Sequence, residues 1–513
     1  MFLCRKYSPA VRGPPYLFGR QGSVRMREKR RLFRLLTFSP PVVSLQGLIR
    51  DFFVFMFLLN ISVIFSLAHF EHKEDPKVLL ISFDGFRWDY LDRVGPAKAP
   101  NFFSLIKDGV KAKSVVNTFT TKTFPNHFTI VTGLWEESHG IVDNDMYDPK
   151  FNRTFTKARV SDMKDSFWWD NGAIPIWIAN EQEDEKRRSG TIYWAGSQST
   201  YTFKGHKLKQ FVDFGDYNFD TPYKKIVDTM VEWFSQESRP INFGAMYFDM
   251  PDALAHRVGP SSPKIDEMIT TLDKNVTGYL IEELKKHNLF DVLNIIITSD
   301  HGFVDTSKDR VIDVSKYVDS NLYTKYGKTS VWNILPKSGH EDEVYKGFKK
   351  FHHLTVYKKD EIPKNYHYSK NERILPIVVV ADEGWILSVK GGGHGYNNSL
   401  ESMHPFFIAH GPAFKQDYQR GPLNIVDIYS LMAEVLKLSP GNLGPHNGST
   451  SNIMDMLRSE NHTYDMTTTF VTCKFMYNVS GQRVHATRRF RLLTDGLMNE
   501  SAQPMMLQSD EEL

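Results

Sequence analysis

Three aspartates in this chain follow apolar runs: Asp84 after Val78-Leu-Leu-Ile-Ser-Phe83, Asp252 after the run opening at Ile241, and Asp300 after Asn294-Ile-Ile-Ile-Thr-Ser299. Taken singly, such an Asp is usually a turn or helix N-cap residue. Histidines accompany two of them. Asp252-Ala-Leu-Ala-His256 has the spacing that brings both side chains to one face of a helical turn. Asp300-His301-Gly302 offers two adjacent donors where a glycine lets the chain turn. His394 lies in Gly391-Gly-Gly-His-Gly395, a loop flexible enough to carry an imidazole to a metal. A lone His is most often a satisfied core or surface residue, but three carboxylates with three imidazoles suit borderline-soft divalent ions, zinc first.

The charges suit a pair of such ions, because three carboxylates leave two divalent cations with one net positive charge, which a bound alkoxide would cancel. Two metals roughly 3.5–4 Å apart stabilise both the attacking and the leaving oxygen of an in-line displacement. Thr121-Lys-Thr-Phe-Pro-Asn-His127 supplies the hydroxyl. An alcohol attacks at neutral pH only when a metal or base takes its proton. Thr121 and Thr123 are equivalent on composition, and the bland reading of either is a helix N-cap.

These residues need a scaffold that gathers distant segments. From Lys77 to about Arg458 short β-rich runs alternate with amphipathic stretches. Val78–Phe83, Ile241–Phe248, Ile295–Thr298, Ile377–Val380 and Phe406–Ala409 read as strands, and Lys224–Ser235 and Pro263–Lys286 as helices. Strand followed by helix, repeated, predicts an α/β fold whose sheet is covered on both faces. The carboxyl ends of parallel strands form one rim where ligands collect, so the three aspartates are expected to converge there.

Taken together, these segments resemble the ectonucleotide pyrophosphatase/phosphodiesterase family of the alkaline phosphatase superfamily. The matching stretches include VLLISFDGFRWDYL (78–91), TKTFPNHFTIVTGLWEESHGIVDNDMYDP (121–149), YFDMPDALAHRVGP (247–260), IIITSDHG (295–302) and GGGHGYNN (391–398). The likeness spans about residues 77–450 and looks closest to members four and five. It implies an alkaline-phosphatase-like, mostly parallel central sheet. It further implies one zinc held by Asp84, Thr123, Asp300 and His301 and a second held by Asp252, His256 and His394, which selects Thr123 as nucleophile. Asn144 would donate its amide to a phosphate oxygen, and Phe124 and Tyr217 would sandwich a nucleobase. The implied reaction passes through a nucleotidyl-threonine to a nucleoside 5′-monophosphate. The sequence departs from the family at Met250, Ala255, Phe303 and Asn397, none of them an implied ligand.

Composition sets the remaining bounds. The 513 residues carry 63 Lys+Arg and 60 Asp+Glu, with 11 and 2 of these in residues 1–69, so the remainder is mildly acidic. That excludes an obvious nucleic-acid-binding face. Two cysteines, Cys4 and Cys473, exclude a disulfide framework and a cysteine-rich zinc module. Residues 1–51 read as a basic, disordered leader. Phe52–Ala68 reads as a signal peptide or signal anchor, which would put the 77–458 catalytic domain and a poorly ordered 459–513 tail outside the cytosol. Sequons at Asn152, Asn275, Asn447, Asn461 and Asn478 agree with that topology. Rival readings are a phosphomonoesterase or choline-phosphoester hydrolase of the same superfamily, and a catalytically silent surface-binding homologue. A sulfatase is excluded, since neither cysteine sits in the C/S-x-P-x-R motif.

Overall fold

The computed structural model describes residues 75–199, 201, 210–212, 221–387, 392–459, 469–479 and 482–492. The leader, the apolar segment Phe52–Ala68, Tyr217 and Asn461 lie outside them. Among the described residues no helix is long and apolar enough to cross a membrane.

The apolar runs form the centre of an eight-stranded sheet. In chain order its strands are β1 (Lys77–Phe83), β2 (Gly109–Ala112), β3 (Ser189–Ile192), β4 (Gln210–Val212), β5 (Phe243–Phe248), β6 (Leu293–Thr298), β7 (Phe407–His410) and β8 (Tyr418–Arg420). They are arranged β8-β2-β7-β6-β1-β5-β3-β4, and only β7 runs against the rest. β5 and β6 are buried at every position, and β1 at all but its first. Successive side chains point to opposite faces, so such strands need cover on both sides. That explains why their sequences are continuous apolar runs rather than alternating ones.

Register fixes the rim. β1 lies between β5 and β6, with Phe83 opposite Phe248 and Ser82 opposite Thr298. All three strands end at one level, and the aspartates following them emerge side by side. The helices match the expected ones closely. Tyr223–Ser235 buries Ile226, Val227, Met230, Val231 and Phe234 on one stripe. Pro263–Leu272 continues through a π-helical turn, Asp273–Gly278, into Tyr279–Lys286.

One expected strand belongs elsewhere. Ile377–Ala381 lies in a separate four-stranded antiparallel sheet with Tyr323–Tyr326, Val331–Pro336 and Leu354–Lys358. This lobe is inserted between β6 and β7 and has its own core, including Trp332, Ile334, Val344, Phe348 and Val379. A run of four apolar residues does not disclose which sheet will take it. Beyond Leu457, Thr469–Val479 and Gln482–Leu492 pair as an antiparallel hairpin.

Candidate metal centre

The rim gathers the carboxylates as the strand ends require. The Asp84 amide donates to the Phe248 carbonyl at 2.8 Å, and the Asp252 amide donates to the Asp84 carbonyl at 3.0 Å. Gly85 makes this approach feasible. Its φ is +69°, and a Cβ there would stand 2.8 Å from the Asp252 Cβ. Its amide donates to Asp300 Oδ1 at 3.1 Å, and the Ser299 hydroxyl donates to the same oxygen at 3.0 Å. The Tyr247 hydroxyl donates to Asp84 Oδ2 at 2.6 Å. Each of these two carboxylates thus has one oxygen tied down and the other left over.

The imidazoles share one orientation. Nδ1 faces a backbone carbonyl in each: Gly302 for His301 at 2.9 Å, Thr121 for His394 at 2.9 Å, and Gly392 for His256 at 3.2 Å. A carbonyl only accepts, so Nδ1 carries the proton and Nε2 presents a lone pair. Those lone pairs face carboxylate oxygens. His301 Nε2 lies 3.1 Å from Asp300 Oδ2 and 3.5 Å from Asp84 Oδ1. Asp252 Oδ1 lies 3.4 Å from His256 Nε2 and 3.7 Å from His394 Nε2. The rings of His301 and His394 stack with centroids 3.6 Å apart.

Four of these atoms, Asp84 Oδ1, Asp252 Oδ1, Asp300 Oδ2 and His301 Nε2, are buried without a hydrogen-bond partner. Buried acceptors facing one another are costly unless something positive lies between them. Burial and the carboxylates of Asp300 and Asp252 push the Asp84 carboxyl well above its ordinary range. Burial would also raise Asp300, but His301 and His127 hold it below its ordinary value. Burial, with His301, Lys122 and His256 nearby, pushes the His394 imidazole well down, so it stays neutral and able to ligate. Asp84, Asp300 and His301 form one group with metal-ligand spacing, and Asp252, His301 and His394 form another. His301 belongs to both, while His256 faces the same oxygen of Asp252 as His394 does. The donor set fits divalent cations.

Thr123 opens the helix Thr123–Thr132, and its carbonyl accepts from His127 Nδ1 at 2.8 Å. That nitrogen is also 3.5 Å from Asp300 Oδ2, so the first turn of the helix abuts the cluster. Thr121, the alternative, is committed elsewhere: its hydroxyl donates to the Tyr396 carbonyl at 3.1 Å and accepts from the Gly395 amide at 2.8 Å. Asn144 is buried, and its Oδ1 accepts from the Phe124 amide at 2.8 Å. This bond leaves the NH2 end of Asn144 as its free donor beside Thr123. The helix N-terminus adds a favourable dipole for an anion.

The Phe124 ring is buried, 6.1 Å from Phe155 and 6.0 Å from Trp169 between centroids. Tyr217, its expected partner, is outside the described residues.

Sequence reasoning missed the supports. His127 accepts from or donates to Ser82 Oγ at 2.8 Å beneath the cluster. Its spacing from Thr123 on one helix is a usable signal. Tyr247 has none, because its link to Asp84 follows from strand register. Lys122 is buried and donates to the Lys328 carbonyl at 2.8 Å and Thr329 Oγ1 at 2.7 Å. Ser330 Oγ and Thr329 Oγ1 donate in turn to the His394 carbonyl at 2.7 and 3.3 Å. The inserted lobe thereby holds the His394 loop.

Comparisons with known proteins converge on one group. The family described as type I phosphodiesterase / nucleotide pyrophosphatase matches residues 78–410. The human ectonucleotide pyrophosphatase/phosphodiesterase family member 5 is 43% identical over 408 residues, 78% of this chain and 81% of the relative. The human bis(5′-adenosyl)-triphosphatase is 42% identical over 384 residues, 73% of this chain and 80% of the relative. The solved structure of human ectonucleotide pyrophosphatase/phosphodiesterase 5 aligns with a TM-score of 0.70 at 42% identity, covering 75% of this chain and all of that one. An inactive threonine-to-alanine form of the murine protein, in complex with AMP, aligns equally well with a TM-score of 0.70 at 42% identity, covering 75% of this chain and 100% of that one. The α/β architecture, the metal-ligand groups at the strand rim and these likenesses agree: the chain belongs to the type I phosphodiesterase / nucleotide pyrophosphatase family, hydrolases of phosphodiester and diphosphate bonds.

Proposed function

We propose that this chain is a zinc-dependent ecto-phosphodiesterase that cleaves phosphodiester or pyrophosphate bonds of nucleotides or dinucleotides through a threonine-linked intermediate, releasing nucleoside 5′-monophosphates. The observation that carries this reading is the set of four unpartnered, buried acceptor atoms facing one another beside Thr123. Two zinc ions held there by Asp84, Asp300 and His301 and by Asp252, His256 and His394 would supply Lewis-acid charge and lower the pKa of a bound hydroxyl. Thr123 then attacks phosphorus and the leaving alcohol or phosphate departs in line. Asn144 donates its amide to a phosphate oxygen, an interaction worth about 3 kcal/mol in the transition state. Water hydrolyses the nucleotidyl-threonine and restores the hydroxyl.

The threonine-to-alanine change in the inactive murine relative supports the role of Thr123, and the AMP in that complex supports a nucleotide product. A dinucleotide substrate is supported by the bis(5′-adenosyl)-triphosphatase among the relatives. Placement in the secretory pathway, at the outer face of the plasma membrane or beyond it, rests on the basic-then-apolar segment ending at Ala68 and on the sequons.

A product-resolved screen tests the reading. Dinucleoside polyphosphates, NAD-like dinucleotides, nucleoside triphosphates and choline phosphoesters are incubated with purified protein of measured metal content. Expected are two zinc ions per chain and a nucleoside 5′-monophosphate product. Thr123→Ala should lower turnover by about 10⁴-fold while both ions stay bound. Near-normal turnover in that variant would overturn the covalent route. Preference for nitrophenyl phosphate over the nitrophenyl ester of thymidine monophosphate would make the protein a phosphomonoesterase.

A further inference from the structure

We infer that Arg373 and Tyr368 are positioning residues that hold Asn144 where it meets a phosphate oxygen; this rests on the role proposed for Asn144 above. Both stand on the connection between two strands of the inserted lobe, Leu354–Lys358 and Ile377–Ala381. Asn144 is the midpoint of residues 140–148, and Arg373 grips both ends of that stretch. Its Nη1 donates to the Gly140 carbonyl at 2.7 Å, and its Nε donates to Asp148 Oδ2 at 3.1 Å. The same guanidinium donates to the Trp168 carbonyl at 3.2 Å and the Phe167 carbonyl at 3.1 Å. Between the two ends, the Tyr368 hydroxyl donates to the Val142 carbonyl at 2.8 Å and accepts from Asn333 Nδ2 at 2.9 Å.

These contacts are of a kind that fixes geometry. Arg373 is only 6% exposed, and a cation so buried needs its donors satisfied. Its planar fork spreads them over acceptors at Gly140, Asp148 and the 167–168 pair. A lysine ammonium, a point charge with three donors, does not span that set. The connection bearing Arg373 is itself docked just before Gly140. The Ser369 and Lys370 amides donate to Glu137 Oε2 at 2.8 and 3.0 Å, and Asn371 Nδ2 donates to the Glu137 carbonyl at 3.1 Å. The Phe124 amide orients the carboxamide of Asn144, while the clamp sets where the backbone carrying it lies. None of the groups that Arg373 or Tyr368 bonds is an implied metal ligand, so their influence on the reaction runs through Asn144. A donor held in place before the reaction stabilises the developing charge without reorganisation.

The test is a double-mutant cycle on the zinc-loaded full-length chain, with the nitrophenyl ester of thymidine monophosphate as substrate. Losing such a donor outright costs about 10²–10³-fold in kcat, which sets the scale for Asn144→Ala. Arg373→Lys displaces the donor and should lower kcat about ten-fold. KM should stay within about two-fold of the parent, because the donor acts in the transition state. Tyr368→Phe removes one bond and should lower kcat about three-fold. In an Asn144→Ala background both losses should shrink to less than about two-fold, with zinc content at the parent value throughout. Losses of the same size in both backgrounds would mean that the contacts only stabilise the fold, and overturn the assignment. Parental kcat in both Arg373→Lys and Tyr368→Phe overturns it too. If Arg373→Lys does not fold, Tyr368→Phe carries the cycle alone. Parental kcat in Asn144→Ala itself would instead remove the role proposed for Asn144, and this assignment with it.

Discussion

The two halves of the centre are built differently. Asp84, Asp300 and His301 stand on the ends of adjacent parallel strands, and their spacing follows from strand register. His394 arrives on a glycine-rich loop after the inserted lobe, and its position depends on its own hydrogen bond to the Thr121 carbonyl and on those it accepts from Thr329 and Ser330. The sheet half is rigid because moving any ligand means breaking a buried ladder. The loop half is held by the inserted lobe and by a two-residue antiparallel pairing of Gly392–Gly393 with Val304–Asp305. Ligands on strands are cheap to position, whereas a ligand on a loop needs a second layer of contacts.

Removing one ligand from each half should expose the difference most strongly. Asp300→Ala takes away a carboxylate that also accepts from Gly85 and Ser299, so it removes the metal at the sheet half and loosens the strand rim. His394→Ala leaves those bonds intact. Both should cut turnover by about 10⁴-fold. Only Asp300→Ala should also lower the thermal midpoint of the metal-free protein. Metal analysis should find His394→Ala holding one ion and Asp300→Ala fewer. Equal midpoints for the two metal-free variants would show that the halves do not differ in rigidity.

The supporting contacts give a finer comparison. Tyr247→Phe removes the hydroxyl on Asp84 Oδ2, and Ser330→Ala with Thr329→Val removes the two donors on the His394 carbonyl. Outer contacts of this kind typically change metal affinity about 10–100-fold. Tyr247→Phe should weaken the first ion to be reloaded in a zinc titration, and the double variant the second. Titration curves in which both changes affect the same step would contradict the division.

What could be read in advance follows the same line. The strand-end aspartates, the Asp252–His256 pair and the Asp300-His301 step were legible because each combines a local pattern with a local geometry. Convergence of the three aspartates followed from the parallel sheet. The inserted sheet was not legible, since Ile377–Ala381 is as apolar as β6 and carries no mark of its destination. The residues alone left Thr121 and Thr123 equivalent and the family resemblance selected Thr123; packing adds that Thr121 is committed to Gly395 and Tyr396. His301 reaching both ligand groups also depends on neighbours far away in sequence.

The contact with the inserted lobe offers the smallest and most selective prediction. Asp143 is buried against it: a Cβ on Gly327 of the lobe would stand 3.0 Å from its Oδ2, an oxygen with no hydrogen-bond partner. Burial pushes its carboxyl up to about 6, against the opposing pull of Lys122. Because the folded pKa is raised, the native state binds the proton more tightly than the unfolded chain. The carboxyl therefore costs nothing below about pH 4, where both states are protonated; its cost grows as pH rises towards 6 and is constant above. Asp143→Asn keeps an acceptor for the Asp145 amide, which donates to Oδ1 at 3.1 Å, and removes the charge. It should stabilise the protein by about 1–2 kcal/mol at pH 7.5, with the gain shrinking to nothing near pH 4. Thermal midpoints of variant and parent across that range decide the matter. A gain that is the same at both ends would mean that it comes from packing against the lobe, and that no buried charge strains that contact.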